Sequence, residues 1–467
     1  MEKEKNLVIV YGQQNVDVVD LNKLNKKRIS FGSLEDNDIQ IKSPIVSRRH
    51  GFLELQGDKC LIHDNNSSNG VYVIGKENSD QELQDGTTMR IDNYNSPHKE
   101  GVVMIYTNLP VNGRWSKVKL QRNLTIGRSQ ECDIRVNHPS VSNIHAEIFL
   151  DGNGAWSIKS NTGEMILNGL PFAKSSVHRL CEKDAICIAN SKFIYSAGII
   201  IHNADTSGIA FDVRNLSRTV NTKKQPHEIL SNVNMSVKPG EFIGIIGSSG
   251  SGKTTFLNAA CGFQRATSGS VLFNNIDLYQ NFDNLKHLIG YVPQHDIIHN
   301  ALSLKKMLMY TAKIRLSKDL SIEEINDMIE NVLATLNLHE KQDSIIGTLS
   351  GGQKKRASIA VELLANPSMF FLDEPTTGLD PHIGESIIEI LHHLAHEQGK
   401  TVLMVTHNTD NIKQCDKVAV FGVGGHLCYF DKPQGLETFF GTKNLTSVYR
   451  ETTINPKGWE NKWRKTA

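Results

Sequence analysis

A glycine-rich loop between an apolar segment and a helix constrains this chain more than any other feature. The loop reads Gly247-Ser-Ser-Gly-Ser-Gly-Lys253-Thr254, and the apolar residues Phe242–Ile246 precede it. A strand before such a loop and a helix after it are typical of a phosphate-binding loop, because backbone N–H groups at the helix N-terminus then face the phosphates. The sequence therefore predicts a nucleotide-binding α/β domain.

The loop residues have separate predicted roles. Lys253 is expected to neutralise charge on the β- and γ-phosphates, and the hydroxyl of Thr254 is expected to bind Mg²⁺. The remaining predicted nucleotide contacts of the loop are Gly247, Ser248, Ser249, Gly250, Ser251, Gly252 and Thr255.

Two further apolar segments end in chemically active side chains. Met369–Asp373 and Thr401–His407 are predicted strands of a parallel sheet, and the carboxyl edge of such a sheet is where its ligands bind. Asp373 is predicted to enter the Mg²⁺ shell, and Glu374 is predicted to polarise the attacking water. His407 would lie at the same edge and contact the γ-phosphate.

A second anion-binding helix N-terminus is predicted at Ser350, Gly351, Gly352 and Gln353. One nucleotide cannot use both this N-terminus and the phosphate loop within a single chain of this layout. The chain is therefore expected to be half of a two-chain machine. The basic residues Lys354, Lys355 and Arg356 are interpreted as a solvated helix face.

A helix is also predicted shortly before this N-terminus. Ser321 and Glu324 have the spacing of a capping box. The apolar residues that follow recur at helical spacing and predict a buried face made of Ile322, Ile325, Ile329, Val332, Leu333 and Leu336.

Composition excludes several classes of protein. A length of 467 residues suggests roughly three domains, and a net charge of +1 gives no reason to expect nucleic acid as a partner. The seven cysteines contain no Cys-x-x-Cys pair, which indicates a reduced chain without a zinc site or disulfide framework. The sequence shows no secretory signal, and its apolar runs are shorter than the roughly 18 residues of a membrane helix.

The first two hundred residues contain an internal repeat. Ser47-Arg-Arg-His50 matches Ser142-Asn-Ile-His145, and Gly32 precedes the first as Gly127 precedes the second. Short alternating strands with turns about every 8–12 residues accompany both copies, a pattern typical of an all-β sandwich. Two copies of about 100 residues are predicted, separated by Leu109–Arg114.

The motifs of residues 208–445 together resemble the ATP-binding cassette (ABC) family. The motifs that carry the resemblance are Gly247–Thr254, Gln294, Leu349–Gln353, Phe370–Glu374, Gly378–Asp380 and His407. The resemblance implies ATP and Mg²⁺ as cofactors, with Gln294 sensing Mg²⁺ and coupling to a partner domain. It further implies that Ser350 and Gly352 reach the γ-phosphate held by a second nucleotide-binding domain, with Asp380 at that dimer contact.

The segments Ile229–Asn234, Gly351–Leu363 and Pro375–Asp380 resemble those of the G subfamily, which comprises eye-pigment and drug-resistance exporters. That subfamily implies a transmembrane permease as partner, with the chain peripheral at the cytoplasmic face of the plasma membrane. Residues 446–467 look like the connector that precedes the membrane domain of such half-transporters. One departure is the segment Leu216–Val220, which offers no aromatic to stack on adenine.

The N-terminal repeat resembles the forkhead-associated (FHA) domain, a sandwich whose loops bind phosphothreonine peptides. The resemblance implies that Arg128, Ser142 and Asn143 hold the phosphopeptide in the second copy, where Gly163-Glu164 replaces an expected Asn-Gly. It implies Ser47, Arg48 and Asn69 in the first copy, where Ser33 replaces the arginine. Losing a charge-assisted contact costs about 1.5–3 kcal/mol, so the second copy is the better expected receptor.

The sequence thus predicts two all-β FHA sandwiches followed by an α/β P-loop NTPase domain with a helical subdomain. The expected boundaries are 1–108, 109–201, 208–445 for the cassette and 446–467 for the connector. The expected function is ATP hydrolysis in an exporter regulated by phosphothreonine peptides. The alternatives are a soluble ABC-family ATPase and a phosphopeptide-binding scaffold not coupled to transport.

Overall fold

The computed structural model divides into two compact units. The first comprises Met1–Asn137 and Ile144–Asp205, and the second comprises His138–Asn143 and Thr206–Ala467. The structure describes residues 5–11, 15–57, 59–73, 76–77, 80–83, 87–91, 101–107, 115–181, 184–196, 198–203, 208–221, 226–274, 276–408, 411–442 and 444–466. The expected junction Leu109–Arg114 lies outside these described residues, as do residues 204–207 of the stretch before the cassette.

The first sandwich consists of two facing sheets of short strands. Its strands are β1 Asn6–Tyr11, β2 Asn15–Asp20, β3 Arg28–Gly32, β4 Ile39–Gln40, β5 Gly51–Gln56, β6 Lys59–Asp64, β7 Tyr72–Val73, β8 Lys76–Glu77, β9 Asp80–Glu82, β10 Thr88–Ile91 and β11 Val102–Thr107. One sheet has the order β2-β1-β11-β10-β7-β8, and the other has the order β4-β3-β5-β6-β9.

The second sandwich repeats this arrangement. Its strands are β12 Trp115–Lys119, β13 Leu124–Gly127, β14 Ile134–Arg135, β15 Ala146–Leu150, β16 Trp156–Ser160, β17 Met165–Leu167, β18 Leu170–Phe172, β19 Val177–Arg179, β20 Ala185–Ile188, β21 Ser191–Ser196 and β22 Ile199–Asn203. Its sheets have the orders β12-β22-β21-β20-β17-β18 and β14-β13-β15-β16-β19.

An aspartate holds the same turn in both copies of the repeat. Asp38 accepts a hydrogen bond of 2.8 Å from the backbone N–H of Ser30, and Asp133 accepts one of 2.8 Å from that of Thr125. In each copy the neighbouring short strand pairs in parallel with the strand before it. The repeat seen in the sequence is therefore also a repeat in structure.

The two sandwiches share an apolar cluster that the sequence did not indicate. Val8, Val103 and Ile105 of the first copy cluster with Ile194, Ile199 and Ile201 of the second. Strand β22 is accordingly buried on both faces, because Ile200, which points to the opposite face, is buried as well. The N-terminal unit is thus built around a joint core.

The second unit contains a mixed and an antiparallel sheet. Its strands are β23 Phe211–Asn221, β24 Pro226–Val237, β25 Phe242–Gly247, β26 Ser268–Phe273, β27 Ile276–Asp277, β28 Ile289–Val292, β29 Met369–Asp373, β30 Thr401–Val405, β31 Lys417–Gly422 and β32 His426–Asp431. The larger sheet has the order β28-β29-β30-β25-β31-β32, parallel except for its last strand. The smaller sheet has the order β24-β23-β26-β27.

Helices cover the larger sheet and form a separate helical region between β28 and β29. The α-helices are α1 Lys253–Ala260, α2 Phe282–Leu285, α3 Leu304–Arg315, α4 Ile322–Thr335, α5 Gly351–Leu363, α6 Pro381–His396, α7 Gly435–Phe440, α8 Leu445–Ile454 and α9 Pro456–Thr466. Short 3₁₀ turns occur at Asn22–Leu24, Lys286–Leu288, His339–Lys341, Ile346–Thr348 and Asn411–Gln414.

Helix α4 illustrates one correct and one wrong expectation. The capping box is present, since Ser321 Oγ accepts from the Glu324 N–H at 3.1 Å and Glu324 accepts in return from Ser321. The predicted apolar face is buried from Ile325 to Leu336. Ile322, however, is 61% exposed, because it lies in the first turn beyond the core.

The predicted fold class is confirmed by this architecture. Strands β29, β30 and β25 are adjacent and parallel, and all their residues are buried. Their carboxyl ends therefore lie side by side, at the edge where Asp373, His407 and the phosphate loop follow.

Candidate functional site

The phosphate loop depends on glycine at both of its ends. A Cβ at Gly247 would lie 2.3 Å from the carbonyl oxygen of Phe421, and a Cβ at Gly252 would lie 2.8 Å from that of Ile229. Gly252 also has a φ of 88°, which other residues rarely adopt. These glycines let β25 turn sharply into α1, so that the helix N-terminus faces the loop.

Lys253 is directed into the loop that precedes it. Its Nζ donates to the carbonyl oxygens of Gly247 and Ser248, both at 2.9 Å. Burial lowers the pKa of Lys253, while the nearby carboxylates of Glu374 and Asp373 act in the opposite direction. The ammonium group is thus held at the position where a nucleotide's phosphates would compete for it.

Asp373 has the surroundings of a cation ligand. The side chain is 2% exposed, and its Oδ1 has no hydrogen-bond partner among the described residues. Burial raises the pKa of Asp373, and the charge of Glu374 adds to this, whereas Thr254, Lys253 and His407 lower it. A buried carboxylate beside the hydroxyl of Thr254 is a pair of oxygen donors that fits Mg²⁺.

Glu374 is held from three directions. His407 Nε2 lies 2.8 Å from its Oε1, and Gln294 Nε2 donates to its Oε2 at 3.1 Å. Thr377 Oγ1 donates to the same Oε2 at 2.9 Å, a contact that the sequence did not suggest. The structure therefore brings Gln294, Glu374 and His407 together.

The backbone of Glu374 also has an uncommon conformation. Its φ is 49°, in the left-handed region that bulky side chains rarely occupy. Its N–H donates to the carbonyl of Val405 at 3.0 Å, which extends the pairing of β29 with β30 by one residue. Unusual backbone geometry of this kind clusters at functional positions.

The predicted second helix N-terminus is present and tightly capped. Gln353 N–H donates to Ser350 Oγ at 3.3 Å, and Ser350 N–H donates to Gln353 Oε1 at 3.0 Å. Gly352 permits close packing of α5 on α6, since a Cβ there would lie 2.3 Å from Ile383. Ser350 and Gly351 remain exposed.

Asp380 has a local structural contact in this chain. It is the N-cap of α6, and its Oδ1 accepts from the N–H of Ile383 at 3.1 Å. Pro381 follows at the first helical position, which is typical of a helix start. The expected dimer role of Asp380 stays a prediction.

The interpretation of the basic residues after Gln353 as a solvated face is wrong for Lys355. That side chain is 6% exposed and forms an ion pair with Asp296 at 2.8 Å. Arg356 is half-buried and donates to the carbonyl of Leu336 at 3.3 Å. Lys355 lies three residues after Gly352 and four before Ile359, both of them buried, so helical spacing was the available signal.

The first FHA copy places its predicted residues on loops. Ser47 Oγ accepts from the N–H of Ser68 at 3.1 Å, and Asn69 Nδ2 donates to the carbonyl of Ile45 at 2.7 Å. Arg48 is exposed. His50 is fully buried and lies 3.2 Å from the carbonyl of Gly70, which is a structural contact.

The second FHA copy lacks the asparagine that the first copy has at the equivalent structural position. His145 Nε2 lies 2.9 Å from the carbonyl of Glu164, the contact that His50 makes with Gly70. Gly163 therefore stands where Asn69 stands in the first copy, and the expected asparagine is absent there.

The three predicted phosphopeptide residues of the second copy fall in different units. Arg128 lies in the first unit and is only 8% exposed. Ser142 and Asn143 lie in the stretch His138–Asn143, which groups with the second unit. The structure thus does not place the three residues within one unit.

The expected connector consists of two helices packed on the cassette. Trp459 and Trp463 of α9 pack against Phe439, the first ring tilted and the second edge-to-face. Thr453 Oγ1 of α8 lies 3.2 Å from Ser248 Oγ in the phosphate loop. The connector therefore reaches the nucleotide site, which its sequence did not indicate.

A chain of polar contacts, buried at His426 and Glu460, fixes α9. His426 Nδ1 lies 2.6 Å from Glu460 Oε2, and Glu460 Oε1 lies 2.6 Å from Arg464. Arg464 then donates to the carbonyl of Asn232 at 2.8 Å.

Within the described part of the chain, no helix is both long and apolar enough to cross a membrane.

The fold and this site define a P-loop ATPase preceded by two FHA sandwiches. The family model described as ABC transporter matches residues 230–377, and the one described as FHA domain matches residues 29–92 and 124–189. The chain carries an ATP-hydrolysing cassette of the ABC transporter family behind two FHA domains.

Relatives of this chain are transport proteins. The ABC transporter ATP-binding/permease protein Rv1747 of Mycobacterium tuberculosis is 31% identical over 71% of this chain and 38% of its own length. ABC transporter G family member 22 of Arabidopsis thaliana is 38% identical over 47% of this chain and 30% of its own. ABC transporter G family member 25 of Oryza sativa is 34% identical over 73% of this chain and 34% of its own length. The chain thus spans 30% to 38% of the length of these relatives.

Proposed function

We propose that this chain is the ATP-hydrolysing component of an exporter, in which two copies complete two ATP sites. The observation that carries the proposal is the position of Glu374 between His407 and Gln294, at the carboxyl end of β29. A carboxylate oriented by two neighbours can accept a proton from an attacking water, which is the role of a general base.

The proposed roles follow from the contacts of each residue. Lys253 would leave the carbonyls of Gly247 and Ser248 to neutralise the β- and γ-phosphates. Thr254, Asp373 and Gln294 would hold Mg²⁺, which offsets phosphate charge when bound. Glu374 would orient the water, and His407 would hold Glu374 and contact the γ-phosphate. Backbone N–H groups from Gly250 to Thr255 would enclose the phosphates.

The other chain of the dimer would supply the helix N-terminus at Ser350. The N-terminus of α5 carries partial positive charge and an exposed Ser350, both suited to a γ-phosphate. Ser350 and Gly352 of one chain would face the phosphate loop of the other, with Asp380 beside that contact. This arrangement supports a reaction that needs two chains.

The proposed regulation uses phosphothreonine peptides. A guanidinium such as that of Arg128 would bind a dianionic phosphate through charge-assisted, bidentate hydrogen bonds. Ser142 and Asn143 would complete the second-copy receptor, and Ser47, Arg48 and Asn69 a weaker first-copy one. A transmembrane permease is the proposed partner for the cassette, which would locate the chain at the inner face of the plasma membrane.

The experiment that tests this function is ATP hydrolysis by the full chain over a wide range of protein concentration. If two chains form each site, the rate per chain rises with concentration until dimerisation is complete. A rate per chain that is constant from nanomolar to high micromolar concentration, with the protein monomeric throughout, would overturn the two-chain proposal.

A further inference from the structure

Lys355 is a buried cation on the helix that opens at Ser350. Its Nζ contacts the carbonyl oxygens of Pro293 and Gln294 at 3.3 and 3.2 Å, and Asp296 Oδ1 at 2.8 Å. An ammonium group has three donors, and these three acceptors account for all of them. All three acceptors belong to one loop, which follows β28.

Because Lys355 is buried, breaking its contacts with the loop is energetically costly. A buried ammonium is costly unless it is paired and hydrogen-bonded, so Lys355 is held to the loop as much as the loop is held to Lys355. Because the side chain is only 6% exposed, water cannot readily replace the loop carbonyls. Movement of the loop must therefore move Lys355 or break its contacts.

A second side chain of the same helix binds the strand β28, which precedes this loop. Glu362 Oε2 accepts from the N–H of Tyr291 at 3.2 Å and from Arg315 at 2.8 Å. Lys355 and Glu362 are seven residues apart, which puts them on the same face of α5, two turns from each other. Helix α5 thus binds the segment on both sides of Pro293.

The loop and the helix face different nucleotides in the proposed function. Gln294 donates to Glu374 in the site of its own chain. The N-terminus of α5 at Ser350, five residues before Lys355, would face the site of the other chain. Five residues correspond to about 7.5 Å along a helix, so Lys355 lies between the two surfaces.

We propose that Lys355 is a positioning residue that couples the two ATP sites through one chain. When Gln294 engages Mg²⁺ and ATP, the displacement of the Pro293–Gln294 carbonyls reaches α5 through Lys355. The orientation of Ser350 towards the other chain's nucleotide then depends on what Gln294 binds. This inference rests on the proposed two-chain function and adds a route between its sites.

The test is the cooperativity of ATP hydrolysis by the full chain. Lys355→Met keeps the length of the side chain and removes its charge, and Lys354→Met is the matched control on the same helix. The unaltered chain and the control are expected to give a Hill coefficient for ATP above 1. Lys355→Met is expected to lower it to 1 and to raise the Mg²⁺ concentration for half-maximal rate about tenfold, and Lys355→Arg to restore both in part.

A purely structural role predicts something different. If Lys355→Met lowers only kcat or Tm and leaves the Hill coefficient and Mg²⁺ requirement unchanged, the coupling proposal is wrong. Should Lys355→Met fail to fold, Asp296→Asn weakens the same contact and must reduce the Hill coefficient too. Dimerisation of Glu374→Gln with ATP is measured alongside. Its absence would refute the two-chain function, whereas its presence with unaltered cooperativity would refute only the role of Lys355.

Discussion

His407 Nε2 lies 2.8 Å from Glu374 Oε1, and this contact joins the ends of two adjacent parallel strands. Neither residue belongs to a strand: Glu374 directly follows β29, and His407 follows β30 by two positions. The side chains therefore meet at the carboxyl edge, beside Asp373. We expect catalysis to depend on this pair more than ATP binding does.

Replacing His407 tests that pair. His407→Ala should lower kcat about 100- to 10,000-fold, the range for loss of a group that assists proton transfer. The KM for ATP should change little, because the phosphate loop is intact. Steady-state hydrolysis measures both, with the exposed His392→Ala of α6 as control. An unchanged kcat would contradict the proposed role.

Replacing Asp373 should separate stability from activity. Because burial raises its pKa, the folded state holds the proton more tightly than the unfolded chain does. The free energy of unfolding therefore falls as pH rises from the ordinary aspartate range through the raised pKa, and it stays lower at neutral pH.

Asp373→Asn removes the free-energy cost of burying a charged carboxylate. It should therefore raise Tm at pH 7 and leave Tm unchanged at pH 3. The same substitution should abolish Mg²⁺-dependent hydrolysis. Asp283→Asn is the control of opposite sign, since a hydrogen bond from Lys286 lowers the pKa of Asp283 at the surface. Thermal melts at pH 3 and pH 7 measure these changes in Tm. A lower Tm for Asp373→Asn at neutral pH would contradict the assignment.

Parts of the site were predictable because local signals agreed with the tertiary fold. The strand Met369–Asp373 was predicted to its last residue, since a continuous apolar run ends at a buried acid. The capping box at Ser321 was found from spacing alone. Such features depend on neighbours in sequence, and the fold did not override them.

Other features depended on distant contacts and could not be predicted. Helical spacing indicates that Lys355 is buried, but its ion pair with Asp296 joins residues far apart in the sequence. The burial of Ile199 and Ile201 depends on a partner surface in the first sandwich.

The contact between Thr453 and Ser248 predicts a link from the connector to the phosphate loop. Thr453→Val keeps the shape of the side chain and removes its hydroxyl, and Ser248→Ala removes the partner hydroxyl. If the 3.2 Å contact matters, the two substitutions should be non-additive in KM for ATP, with a single-variant effect of about two- to tenfold. Fully additive effects in the double variant would contradict the link.

Phosphopeptide recognition can be tested with the full chain and a phosphothreonine peptide. Binding should require the phosphate, and Arg128→Ala should weaken it about 10- to 100-fold, as expected for loss of a charge-assisted contact. The exposed Arg179→Ala serves as control. Equal affinity for the unphosphorylated peptide, or no loss with Arg128→Ala, would refute the proposed receptor.

The most direct test of the two-site account is the mass of the Glu374→Gln chain in solution at saturating Mg²⁺ and ATP. Without the carboxylate that orients water, ATP should persist between two chains. Light scattering should then report a particle of twice the 52.0 kDa chain mass, which returns to one chain when ATP is removed. A strictly monomeric Glu374→Gln chain with ATP bound would contradict the account.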